Sequence, residues 1–573
     1  MKIKTIMNLP VRQAGRFIST KAILVIVIVI AGILRLWNLG NIPPHLTPDE
    51  ASLGYNAYSI LKTGRDEYGT LLPVIFKSFG DYKPGLYVYL TVPSVAVFGL
   101  NEFAVRLPSA IAGILTIMLL YKISKILFNE KIGLLAACLA VINPWLIHFS
   151  RGAWEANISL TLTLAGIYFF LTSFKDQKKL IVSAIFFALT LVTYQGAKLS
   201  TGIVIIILAV IYFKQVLVFN RRYLLLGFIS GILISFPIIF SLFSGKVGRL
   251  EVFSISSYRR PGAYLQNQLN QGNEKAGSLS YYLFHSEVFN TFRGITGRYF
   301  NHFSGRFLFF EGDWQNPRHS PPNQGEFLFA DIILIILGLI ILVKKGLGKD
   351  PSTSSGQESI FILLWLVLAP LPAALSRDSV HAIRSLNMAI PIIIISSFGL
   401  VYIFENINKA RVLRLVSFGF FIFYILNFVY YLDTYFIHLP KHDSQLWDYG
   451  YKQIVETVTP IQNNYKTIKV QQSFAQPYIY FLFFQKYDPA KYQKQAKLVA
   501  SEYKNDVGYV TKLDNIEFVP IDWSVNRGDN GTLIVGDPIR IPPEDSNDPS
   551  LFKLVKEIKY LDGQPAFRII EVK

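Results

Sequence analysis

The chain has 573 residues, of which 51% are hydrophobic and only 16% charged, with a formal net charge of +18. A soluble chain carries about a quarter charged residues, so the composition excludes an ordinary soluble protein and points to a polytopic membrane protein. The basic excess does not mark a nucleic-acid partner: it collects in short segments between apolar runs, where the positive-inside rule gathers lysine and arginine. The one cysteine, Cys138, lies in an apolar run, which excludes a disulfide framework.

In chain order, an acid-free basic segment (Lys2, Lys4, Arg12, Arg16, Lys21) precedes the apolar run 22–34, which places the N-terminus in the cytoplasm. No small-residue cleavage site follows this run, so it reads as a retained helix. Residues 85–99 are short for a span, follow Pro84-Gly85 and contain Pro93, which suits a horizontal or re-entrant helix. With that stretch not crossing, spans fall near 107–127, 132–149, 156–173, 179–195, 200–213, 222–243, 327–343, 359–375, 386–404 and 411–432, about eleven crossings with the first. Every cytoplasmic loop is then net basic. "PSTSSGQ" (351–357) reads as a linker. The same parity puts outside the loops 39–106 and 244–326, the turns 150–156 and 376–384, and residues 433–573. The domains expected are thus a membrane domain, 1–432, and an extracytoplasmic α/β domain, 433–573. In the latter, "TIKVQQS", "IEFVPIDW", "GTLIVGDP" and "AFRIIEVK" read as strands, and "SQLWDYGYKQIVETV" and "QPYIYFLFFQKY" as helices.

Acids and cations gather in these outer segments. "TPDEASLGYNAYSIL" opens with a capping box: Thr47 as N-cap, Pro48 at the first helical position, Glu50 three residues on. That role occupies Glu50 and leaves Asp49 free. "GDYKPGLYVYL" brings Asp81 and Lys83 to the start of the horizontal helix. Arg106 follows, where an interface anchor is the plain alternative. Arg151 and Glu155 are four apart, and a simple ion pair on one helical face accounts for both. His381 and Arg384 are three apart, where headgroup contact is the plain alternative. Lys83 alone would fit lipid phosphate. "FFEGDWQNPRHS" carries Asp313, Arg318 and His319, with Asp313 a candidate turn cap. Neither a phosphate loop nor an HExxH zinc motif is found. Carboxylates and cations converging on the outer membrane face suit a phosphate-bearing lipid substrate handled by a carboxylate base.

Four motifs in order, "PDEA", "DYKPGLYVYL", "EFAVRLPSAIAGILT" and "NPWLIHFSRGAWEAN", resemble the GT-C glycosyltransferases of the glycosyltransferase-39 type, and "FLFFEGDWQNPRHSPPNQGEF" and "HAIRSLNMAIP" resemble marks of a bacterial subgroup. The glycosyltransferase-39 type includes protein O-mannosyltransferases and the aminoarabinose transferase. The resemblance implies an α-helical polytopic membrane protein of the GT-C type and a polyprenyl-phosphate sugar donor. It implies Asp49 as the acid that activates the acceptor, Lys83 near the donor phosphate, and Glu155 as the acid of the second loop. Two departures stand out: the second proline of the family's K-P-P-L is Gly85 here, and the second-loop acid is Glu with altered spacing from Arg151. The expected catalytic set is Asp49, Glu50 and Glu155. The expected phosphate-binding set is Lys83, Arg106, Arg151, His381, Arg384 and Arg318. No cofactor is required, and a divalent metal ion is compatible with the acids. Expected partners are the lipid-linked sugar, a protein, lipid or glycan acceptor, and membrane lipids. A transporter or flippase of lipid-linked sugars is the rival reading, but it would carry acids within its spans, and these spans carry almost none. An envelope-assembly scaffold is a third, which predicts no role for the loop acids.

Overall fold

A computed structural model describes residues 19–243, 262–346, 354–473, 475–495, 497–499 and 508–573. The basic residues at positions 2–16 and the first part of the 244–326 loop lie outside the described residues.

The N-terminal half is a run of helices: α1 (Thr20–Leu36), α2 (Pro48–Thr63), α3 (Leu86–Phe98), α4 (Glu102–Leu127), α5 (Glu130–Ile142), α6 (Pro144–Arg151), α7 (Glu155–Ser173), α8 (Lys179–Leu191) and α9 (Ala197–Ile211). Asparagines start three of them. Asn101, Asn129 and Asn143 each accept the backbone N–H three residues on, at 2.9–3.0 Å, so that α4, α5 and α6 begin with one orphan donor satisfied. Further long helices cover Arg221–Phe243, Asp331–Gly346, Ser354–Leu368, Ala389–Asn406 and Arg411–Asp433. Residues 354–357, expected as part of a linker, are instead the first turn of the helix Ser354–Leu368.

The expected count of eleven crossings is not reached on length and apolarity. Among the described residues six helices are long and apolar enough to cross, or seven if α5 and α6, bent by 58°, form one broken span. The reason is plain for α8 and α9. With 13 and 15 residues they rise only about 20 and 23 Å, against a hydrocarbon core of about 30 Å. The α3 helix, 13 residues with Pro93 inside, is shorter than a span as well.

Residues from about 440 onward build a mixed sheet with strand order 512–513, 516–519, 468–471, 533–536, 565–572, 552–559. Ile468–Gln471 is parallel to both neighbours, in register Ile468↔Ile516 and Ile468↔Leu533; the other pairs are antiparallel. Leu533–Gly536 is buried at every residue, as expected of a central strand covered on both faces. The four segments read as strands each contain one, and helices Tyr451–Val458 and Pro477–Phe484 lie within the two segments read as helical.

This sheet domain does not hang from the membrane helices by a linker. One apolar core joins Leu46, Ala51, Tyr55 and Ala57 of the α2 region to Tyr478–Phe483 and to the sheet residues Ile468, Val470 and Phe518. Polar ties cross the same seam: Tyr480 Oη donates to Leu46 O at 3.0 Å, Tyr55 Oη to Tyr487 O at 3.2 Å, and Lys452 pairs with Glu102 at 2.7 Å. Gly54 lets α2 pack closely on this seam, since a Cβ there would meet the Phe483 ring at 2.6 Å, besides Val105 of α4 at 2.5 Å.

Candidate functional site

The capping box forms as the sequence dictates. Thr47 Oγ1 accepts Glu50 N–H at 3.2 Å, and Glu50 Oε2 accepts Thr47 N–H at 3.0 Å. Glu50 then does more. Its Oε1 accepts Arg106 Nε at 3.0 Å and Ala153 N–H at 2.8 Å, and its Oε2 also faces Arg106 Nη2 at 3.3 Å. Arg106 completes its set with the carbonyls of Leu39 (3.1 Å), Pro43 (2.9 Å) and His45 (2.6 Å). A guanidinium has five N–H donors, and all five are engaged here. Both side chains are buried. Glu50 therefore leaves the catalytic set and Arg106 the phosphate-binding set: neither has capacity left for a substrate.

Arg151 is likewise buried and aimed elsewhere. Nη1 donates to Leu34 O at 2.8 Å, Nη2 to Trp37 O and Ile42 O at 2.8 and 3.0 Å, and the guanidinium lies 4.9 Å from the Phe436 ring. It staples the end of α1 to the turn after it. The expected shared face with Glu155 does not exist, because the helix breaks at Gly152–Trp154 and α7 begins afresh at Glu155. The i,i+4 rule had no continuous helix to act on.

What the structure does bring together is Asp49, Lys83, Glu155 and Arg384, with Asp81, Tyr194 and Lys198. They line one cavity of ≈ 390 Å³. Strand β1 (Ile75–Ser78) and strand β2 (Asp81–Pro84) form a hairpin through Phe79-Gly80, both at positive φ, as a tight two-residue turn requires. Strand periodicity then sends Asp81 and Lys83 to the same face. Lys83 Nζ is ion-paired with Asp49 Oδ1. Burial lowers the Lys83 pKa, but the carboxylates of Asp49, Glu155 and Asp81 outweigh it, and the net shift is upward. Lys83 thus stays a cation. The Asp49 side chain remains 63% exposed, so a substrate can reach it. Arg384 Nη1 donates to Asp378 Oδ2 at 2.9 Å. Gly85 fits its place better than the family's proline would: its N–H donates to Val74 O at 2.9 Å, and the Phe76 ring occupies the space of a side chain, 2.4 Å from a Cβ.

Asp49, Asp81 and Lys83 also border a second, larger cavity of ≈ 1140 Å³ under the sheet domain, lined in addition by Asn316, Arg318, His319, Asp448 and Gln476. Arg318 therefore faces this space and not the one holding Glu155 and Arg384. Burial raises the Asp448 pKa to about 6, against the lowering effect of Arg318. On the other side an apolar groove of ≈ 470 Å³ runs between α7, α8, α9 and Arg221–Phe243, and it shares Lys198 with the first cavity. Lys198 Nζ donates to Gln195 Oε1 at 2.6 Å, and Gln195 to Tyr82 O at 2.9 Å, which braces the lysine against the β2 strand. His381 lines neither of the two larger cavities; it packs against His319, ring centroids 5.1 Å apart.

Sequence reasoning missed Lys198 and Asp448. For Lys198 a signal existed: a lysine at the end of an apolar run that the charge parity assigns to the outside, where the positive-inside rule disfavours it. Asp448 had none, since only the fold carries residue 448 to the rim of α2.

With this geometry in hand, comparison with known proteins is informative. Residues 82–241 match the family model described as dolichyl-phosphate-mannose-protein mannosyltransferase. Among solved structures, ArnT from Cupriavidus metallidurans bound to undecaprenyl phosphate superposes with a TM-score of 0.53 at 12% identity, over 96% of this chain and 98% of that one. The apo form of the same enzyme gives 0.51 at 12% identity, over 95% and 97%. A search of curated protein sequences finds no match. The resemblance read from the sequence is thereby borne out: the chain has the GT-C glycosyltransferase fold, a helical membrane part followed by a small sheet-containing domain.

Proposed function

We propose that the protein transfers a sugar from a polyprenyl-phosphate donor to an acceptor hydroxyl at the outer face of the membrane, with inversion at the anomeric carbon. The observation that carries this reading is a row of three neighbouring spaces: an apolar groove, a charged cavity that shares Lys198 with it, and a larger polar cavity that shares Asp49, Asp81 and Lys83 with the second. An isoprenoid tail suits the first, its phosphate and sugar the second, and an acceptor the third. The bound lipid in the ArnT structure, undecaprenyl phosphate, is of this donor chemistry.

In the reaction Asp49 accepts the proton of the acceptor O–H. The oxygen attacks the anomeric carbon from the Asp49 side as the bond from that carbon to the phosphate oxygen breaks, and the phosphate leaves with the electron pair. Lys83, Lys198 and Arg384 take up the charge that develops on the departing oxygen. Glu155 orients the sugar or the acceptor from the floor of the cavity. The sugar is a hexose or pentose, and the acceptor is protein, lipid or glycan. The N-terminus is cytoplasmic and the sheet domain extracytoplasmic, as the basic-loop parity requires.

The test is transfer from a panel of radiolabelled polyprenyl-phosphate sugars onto envelope fractions, comparing parent and Asp49→Asn protein. Label incorporated equally by both, or by neither with any donor, overturns the proposal. Reporter fusions at residue 440 check its orientation; a cytoplasmic signal there would place the site on the wrong face.

A further inference from the structure

Beside the charged cavity, but apart from it, lies a second polar cluster that the proposed reaction does not use. Asp313, His319 and His381 are buried, and one ligating atom from each lies within 4.8 Å of the others. A tetrahedral zinc ion with ligand bonds of about 2.0–2.2 Å holds its donor atoms about 3.3–3.6 Å apart, so the three close onto an ion with side-chain adjustments alone. The neighbours pre-set them. Asp313 Oδ1 accepts Asn316 N–H at 2.9 Å and Oδ2 accepts Ala382 N–H at 2.8 Å, which fixes the carboxylate. His302 accepts His381 N–H on Nε2 at 3.1 Å while its Nδ1 contacts Arg298 O at 2.7 Å, which fixes the main chain of His381. The His381 ring itself has only long contacts, 3.4 Å to Arg384 N–H and 3.8 Å to Asp378.

The charge balance points the same way. Among the described residues Asp313 has an ion pair only with His319, at 2.7 Å, and none with lysine or arginine. Glu326, near enough to Asp313 to feel its charge, is buried with Oε1 lacking any partner. Burial pushes the Glu326 pKa well up, so Asp313 is the buried carboxylate without a fixed cation; such a charge is costly, and a divalent ion offsets that cost.

We infer that Asp313, His319 and His381 bind a divalent transition-metal ion, with zinc the best match to one carboxylate and two imidazoles. The ion ties the 311–320 loop to the 377–388 turn. Those two segments supply Asn316 and Arg318 to the large cavity and Arg384 to the smaller one, so the metal holds both walls of the site at once.

The experiment uses full-length protein purified in detergent without a polyhistidine tag, stripped with chelator and titrated with zinc against a chromophoric competitor. About one equivalent should be retained, and lost in Asp313→Asn, His319→Gln and His381→Gln. Asp49→Asn, Glu155→Gln and Cys138→Ala should retain it. The His302→Ala change should weaken binding about 10–100-fold, as for other groups that orient a ligand. X-ray absorption on the unmodified zinc-loaded protein should show two imidazoles with oxygen donors and no sulfur. Failure to retain zinc, retention by the His319 and His381 variants, or a spectrum without imidazole each overturns the inference. None of these readouts depends on sugar transfer.

Discussion

Asp49 and Glu50 are joined by one peptide bond and belong to different parts of the molecule. Glu50 turns inward, where four donors from Thr47, Arg106 and Ala153 saturate it. Asp49 turns outward, ion-paired with Lys83 and largely exposed at the edge of an open cavity. Successive helical residues point about 100° apart, and that rotation alone separates anchor from chemistry. A fully satisfied buried pair has no valence to give a substrate, so the proposed catalytic role falls to Asp49 and not to Glu50.

The contrast breaks most sharply at Asp49. Asparagine keeps its size and removes the base and the charge, and loss of general-base help costs about 10²–10⁴-fold in rate. Asp49→Asn should lose transfer on that scale in a single-turnover assay while melting temperature stays near the parent's. Retention of more than about a third of the rate would make Asp49 a mere helix-start acid. Arg106→Ala should do the reverse. It strands the Glu50 charge and three backbone carbonyls in the interior, and breaking a buried pair costs about 3–5 kcal/mol. Its yield and thermal stability in detergent should fall steeply, and folded material, if recovered, should still bind donor lipid.

Glu67 sharpens the comparison, since it is buried without an arginine. Asn56 Nδ2 donates to its Oε1 at 3.1 Å, while Oε2 has no partner. Burial is the main cause that lifts its pKa to about 8, against the lowering hydrogen bond from Asn56. A folded pKa above the unfolded value of about 4.3 means that the folded chain holds the proton longer. The stabilisation is complete below pH 4.3 and is lost as pH rises through 8. Thermal scans should therefore show Glu67→Gln matching the parent at pH 5 and exceeding it at pH 8.5. A constant difference across that range would exclude Glu67 as the titrating group. The smallest effect belongs to Thr47→Ala, which removes one cap at about 0.5–2 kcal/mol. It should lower the melting temperature slightly and leave the rate of transfer nearly intact.

What was legible from the sequence follows the range of the interactions. The capping box and four strands of the C-terminal sheet rest on residues within a few positions of one another, and each was readable; the hairpin around Phe79-Gly80 was not read. Arg106 and Arg151 were misread because a buried guanidinium takes its partners from carbonyls about 60–115 positions away, and no local pattern distinguishes that from a phosphate site. The Arg151–Glu155 pairing failed for a local reason that spacing hides: Gly152 and Trp154 stop one helix before the next begins. His381 was placed among the phosphate contacts because its neighbours, Asp313 and His319, arrive from a loop more than sixty residues earlier.

The shared core between α2 and the sheet domain has a consequence for how the protein is made. Tyr478–Phe483, which cover α2, and Asp448 and Gln476, which wall the large cavity, come from the last quarter of the chain. At about 5–20 residues per second, synthesis of the segment after the final long helix takes on the order of ten seconds. During that time Gly54 and Tyr55 lack their cover, and the cavity around Asp49 lacks one side. The nascent membrane domain therefore carries an uncovered apolar face. The proposed site is complete only once residues 448 and 476–483 have closed over α2.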